Sequence, residues 1–112
     1  MIEEDLTYVA ERVLGHVGKI PVKIYKESYA IIHGEGSCAL TCEFPISTML
    51  TVRLALDYKG SKQLLGSNIS IIGAQPLVSS MIFEEENHEE QLNNFSTLVI
   101  IELYNFLAKI AK

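Results

Sequence analysis

From Gln63 to Ala108 the sequence has no lysine and no arginine, yet it carries six acids there: Glu84, Glu85, Glu86, Glu89, Glu90 and Glu102. Binding nucleic acid requires clustered cations to neutralise phosphates, and this half of the chain offers none. Residues 1–62 are close to balanced in charge, and Lys19, Lys23 and Lys26 are their only basic cluster. Three lysines beside a strand read as solvation, so no nucleic-acid partner is expected.

Cysteine is scarce as well. Cys38 and Cys42 stand on one parity of an alternating stretch that ends at Phe44. Four residues along a strand span about 13 Å, beyond the Cα separation of about 7 Å that a disulfide tolerates. The pair therefore reads as two small buried hydrophobes in a reducing compartment. The three histidines, His16, His33 and His88, share no metal-binding spacing with each other or with the cysteines. No metal is expected. The chain also lacks a Gly-x-Ser-x-Gly elbow, and Gly34-Glu35-Gly36 lacks both the dinucleotide fingerprint and the lysine of a phosphate loop. No catalytic residue and no cofactor are assigned.

Long apolar runs are missing too. The greasiest segment is interrupted by Glu102, Asn105 and Lys109, which excludes a membrane span of roughly 18–20 residues. Three acids near the N-terminus, Glu3, Glu4 and Asp5, are unlike the basic start of a signal peptide. The expected location is the cytoplasm.

Clear periodicity is what the chain does have. Leu6, Val9, Ala10, Val13, Leu14 and Val17 recur at helical spacing from Ile2, with acids in the first turn and Gly18 behind. This predicts a helix over 2–17. From Ile20 to Phe83 the period becomes two. Strands are predicted at Ile20–Lys26, Tyr29–His33, Cys38–Phe44, Thr48–Tyr58, Ile69–Ile72 and Leu77–Phe83. A turn is placed at Tyr25–Ser28, a hairpin at Gly34–Gly36, and a stop at Pro45. Asn87 and Glu90 match a capping box for a final helix from about His88 to Ala111. The expected architecture is a single α+β domain over residues 1–112: an N-terminal helix, an antiparallel meander of five to six strands, and a long C-terminal helix on the same sheet face.

That last helix has apolar residues around most of its circumference, with Glu102, Asn105, Lys109 and Lys112 in one narrow arc. It requires cover on two sides, from the sheet and from either the first helix or a second copy of the chain. This points to a non-enzymatic protein-interaction module, an acidic adaptor, chaperone or inhibitor of a larger protein. It would self-associate as a homodimer through Ile100, Tyr104 and Leu107. The acids Glu84, Glu85, Glu86, Glu89 and Glu90 read as a solvated strand-to-helix connection, and secondarily as a contact for a basic partner. Arg53 and Glu43 share a parity with Thr41, Thr51 and Asp57, which outlines a polar surface on the sheet. It reads first as a cross-strand ion pair and second as a partner-binding face. The alternative function is an apolar-ligand pocket between sheet and helix, with His33, Tyr29, Tyr58 and Tyr104 as its polar groups.

Overall fold

The computed structural model describes residues 2–18, 20–32, 35–72, 74–83 and 88–110, with backbone alone for Ile2, 27–32 and Glu35. The order is α1 (Ile2–Leu14), β1 (Lys23–Ile32), β2 (Glu35–Ser47), β3 (Leu50–Lys59), β4 (Leu64–Ser70), β5 (Leu77–Ile82) and α2 (His88–Ile110). All strands pair antiparallel with their sequence neighbours in the order β1-β2-β3-β4-β5. The expected α+β meander between two helices is what the chain forms.

Cross-strand register aligns the apolar parities into one layer. Leu40 opposes Leu56, Cys42 opposes Leu54, and Phe44 opposes Val52. Leu54 opposes Ile69 and Tyr58 opposes Leu65. Leu6, Val9, Ala10 and Val13 of α1 join Leu92, Phe95, Val99, Leu103 and Phe106 of α2 to cover this face, forming one buried cluster with it. α1 lies over β2 and β3, and α2 over β4 and β5. The helices also touch each other. Arg12 of α1 donates through Nη1 to Asn93 O, Asn93 Oδ1 and Ser96 Oγ, and through Nη2 to Thr97 Oγ1.

Several local expectations change. The turn at Tyr25–Ser28 is instead one continuous strand, with a register shift between Lys26 and Ser28. A bulge accommodates the extra residue and keeps the ladder to β2 intact on both sides of it, which a four-residue turn would interrupt. Pro45 does not end β2, which runs to Ser47 with a second shift after Pro45. β1 pairs with β2 only as far as Glu43, so one side of Pro45 has no strand awaiting its missing N–H. β4 begins at Leu64 rather than Ile69. The first helix closes at Leu14, and Val17 packs on the core from the turn that follows. Asn87 and the tip of the Gly34–Gly36 hairpin lie outside the described residues.

Glu102 departs from the solvent arc. Its Oε1 accepts a 2.5 Å hydrogen bond from Ser79 Oγ of β5, and its Oε2 is buried with no donor among the described residues. The exposed arc is instead centred on Thr97, Ile101, Tyr104, Asn105 and Ala108. The offset, roughly 75° about the helix axis at 100° per residue, follows from the seating of α2. Phe95, Val99 and Phe106 point into the layer, and Glu102 lies on the flank beside them, above the sheet edge. Among the described residues no helix is long and apolar enough to cross a membrane.

Candidate protein-binding face

The helices cover one face of the sheet; the opposite parity forms the other. Row by row across the strands, this second face reads Ala39–Asp57–Gly66–Ser80, then Thr41–Ala55–Asn68–Val78, then Glu43–Arg53–Ser70. Small side chains in the first two rows leave a trough of about 550 Å³, bordered by Lys59 and Leu64 at one end. Thr41 is only 2 % exposed although it faces away from both helices. Tyr25 and Ala55 are its cross-strand neighbours on that side.

Among the described residues, Asp57 is the one charge on the trough floor. A Cβ on Gly66 would stand 2.3 Å from Asp57 Oδ1, so the carboxylate occupies the space that the glycine leaves open. Lys59, the nearest base in sequence, borders the trough on the same parity. Arg53 is engaged one row further on, where its Nη2 lies 3.3 Å from Glu43 Oε2. That pair is solvent-facing and contributes under about 1 kcal/mol.

A second hollow of about 400 Å³ adjoins it at the β2–β3 hairpin end, lined by Glu43, Thr51, Arg53, Ser70, Ile71 and Ile72. Met49, at the tip of that hairpin, is 92 % exposed, and Ile72 is completely so. Ile46 is exposed nearby. The polar surface outlined by Thr41, Glu43, Thr51, Arg53 and Asp57 is thus one continuous, helix-free face, concave rather than flat. Its concavity rests on the alignment of Ala39, Ala55, Gly66 and Ser80 across four strands. Alternation in the sequence identifies the parity of each residue, but only register brings them into adjoining rows.

The other singled-out residues are dispersed. Ile100 and Leu107 are half-buried and packed on the core. Tyr104 is half-exposed, and its hydroxyl donates to the His16 carbonyl in the turn that follows α1. Glu89 and Glu90 are exposed in the first turn of α2. Glu84, Glu85 and Glu86 lie outside the described residues, as do His33 and the side chain of Tyr29. Tyr58 packs edge-on against Phe83, ring centroids 6.0 Å apart, and Phe83 in turn meets His88 at the start of α2. Tyr104 is sixteen residues further along that helix, about 24 Å away.

Cys38 and Cys42 are both buried and unpaired on the helix-covered face. Burial pushes the Cys42 thiol up to about 11, and burial followed by the nearby Glu3 carboxylate raises Cys38. Neither has thiolate character at neutral pH. Lys26 reaches from β1 to Glu3 of α1 at 2.9 Å, and that hydrogen bond with its charge raises the lysine pKa. Among the described residues no group of three or more His, Cys, Asp or Glu is placed to hold a metal ion. Comparison with protein-family models, with curated proteins and with solved structures yields no match.

Proposed function

We propose that the protein is a non-enzymatic interaction module, an adaptor, chaperone or inhibitor, that docks a protein partner on its helix-free sheet face. One observation carries the reading: a trough floored by small residues with Asp57 among them, continuous with a hairpin end where Met49 and Ile72 stand fully in solvent. Large exposed apolar side chains beside a shaped polar hollow are the surface pattern of a contact site. The matching partner presents an elongated segment, with a cation or amide donor for Asp57 and an apolar residue to cover Met49 and Ile72.

The test is affinity capture from the lysate of the native host, comparing the wild type with Ala55→Arg and with Met49→Asp/Ile72→Asp. All three positions lie on the helix-free face or the adjoining loops, so circular dichroism and thermal midpoint remain those of the wild type. A protein held by the wild type is lost from both variants. Equal capture by wild type and Ala55→Arg would show that the trough takes no part in binding.

A further inference from the structure

The two edges of the sheet are built differently. β1 carries Lys23, Lys26 and Glu27 and is interrupted by a bulge, the usual protections against strand pairing. β5, Leu-Val-Ser-Ser-Met-Ile over Leu77–Ile82, has no charge, no proline and no register shift. Its hydrogen-bonding phase is settled by the bond from Phe83 N–H to Gln63 O at 2.7 Å. Bonded pairs alternate along an antiparallel ladder, so Met81, Ser79 and Leu77 also bond to β4. The N–H and C=O groups of Val78, Ser80 and Ile82 therefore project from the open edge. Of these groups, the Ile82 carbonyl accepts from Gln91 Nε2. The Val78 and Ile82 side chains are 66 % and 61 % exposed.

We infer that β5 and the adjoining flank of α2 form a two-fold interface with a second copy of this chain, joining two five-stranded sheets edge to edge. Antiparallel pairing about Ser80 sets Val78 opposite Ile82 of the second copy, Ile82 opposite its Val78, and Ser80 opposite its Ser80. The three outward-bonding residues of each strand are all used, and every side-chain pair on that face is apolar with apolar or serine with serine.

The helix layer independently obeys the same symmetry. Gln91 reaches Ile82 and Glu102 reaches Ser79, so α2 advances eleven residues while β5 runs back three. Interpolating between these contacts brings Ser80 level with Leu98. The flank of α2 above the edge consists of Gln91, Asn94, Leu98, Glu102 and Asn105, a stripe whose spacing is symmetric about Leu98. A dyad through Ser80 thus sets Leu98 against its own copy, Asn94 against Glu102, and Gln91 against Asn105. The Asn94 amide, a donor, then comes level with the Glu102 side chain, which is itself half-buried.

Spacing agrees as well. α2 sits over β4 and β5, so two copies would lie two strand spacings apart, about 9.6 Å, within the 8–10 Å of packed helices. The contact would be about 20 Å long and two layers deep, on the order of 1,000 Å² over both copies. That is at the lower end of specific interfaces and corresponds to a dimer that dissociates on dilution.

The dimer is independent of docking on the helix-free face, and the experiment separates them. Sedimentation across micromolar to submillimolar concentration reads a doubling of mass for the wild type. Ser80→Pro removes an N–H that the folded monomer does not use, and it abolishes the doubling while the thermal midpoint of the dilute monomer is retained. Mild oxidation of Ser80→Cys yields a covalent dimer, because directly opposed bonded residues lie about 5.5 Å apart, within disulfide reach. Lys23→Cys, on the other edge, does not cross-link above background. A wild type that stays monomeric throughout, a Ser80→Pro that still dimerises, or equal cross-linking from Lys23→Cys would each overturn the inference. Partner capture that survives Ser80→Pro would leave the docking proposal standing.

Discussion

Gly60 and Gly36 face each other across the start of β2 and the end of β3, and the same substitution at each has opposite consequences. A Cβ on Gly60 would lie 2.4 Å from Gly36 O and 2.6 Å from Gly36 N. An ordinary carbon–oxygen approach is about 3.3 Å or more, so the backbones must part by nearly 1 Å. No side-chain rotation relieves the clash, because both atoms belong to the main chain. Overpacking of this kind costs about 1–3 kcal/mol. Separation also stretches the 2.7 Å bond from Gly60 N–H to Gly36 O, worth about 1 kcal/mol. Reduced freedom of the unfolded chain returns about 0.4–1 kcal/mol. The net loss for Gly60→Ala is about 2 kcal/mol. For 112 residues the unfolding entropy is roughly 0.24 kcal/mol/K, which converts this to a fall in Tm of about 8 °C. A Cβ on Gly36 meets no atom within 4 Å, and its φ lies outside the left-handed region. Gly36→Ala therefore gains the unfolded-state term alone, and Tm rises by about 2–4 °C. Differential scanning calorimetry of the two variants at one pH decides the matter. A Gly60→Ala variant as stable as the wild type, or a Gly36→Ala variant that falls with it, would refute the argument from close approach.

Three further outcomes follow from the packing. Arg12→Ala removes the guanidinium that joins α1 to Asn93, Ser96 and Thr97, lowering stability by about 1–2 kcal/mol in urea titration; Arg12→Lys does not restore it, since one ammonium cannot span those acceptors. Ser79→Ala combined with Glu102→Leu replaces a carboxylate with a donorless buried oxygen by apolar contact, and raises stability by about 1–2 kcal/mol at pH 7; a drop would mean that the pair is better satisfied than its geometry shows. The Cys42 thiol has its folded pKa, about 11, above the ordinary value of 9.0, so the folded state holds this proton more tightly. Its contribution is whole below pH 9 and is lost as pH rises toward 11, by about 2–3 kcal/mol. The urea midpoint of the wild type should accordingly fall more steeply over that window than that of Cys42→Ala, and a thiol reagent at pH 8 should modify neither cysteine before unfolding.

Periodicity alone determined the class of this fold. The spacing of Leu6, Val9, Ala10 and Val13 and the alternation from Cys38 to Tyr58 each commit their segments to one buried face, whatever they pack against. The burial of Cys38 and Cys42 without a disulfide was legible on the same ground. Tertiary structure decided everything that depends on which strand lies beside which. The bulge at Glu27 and the passage of β2 through Pro45 reflect ladders formed with distant residues, and local turn chemistry carries no record of a neighbouring strand. Glu102 sits on the same arc as Asn105 and Lys109 in any helical projection; only the seating of α2 over β5 makes it a partner of Ser79. Likewise, Ala39, Asp57, Gly66 and Ser80 are spread over more than forty positions of sequence and become one row only through three cross-strand registers. A periodic pattern specifies which side of an element is buried, because that is a property of the element. The shape of the surface that remains depends on relative placement, which arises only when the elements pack.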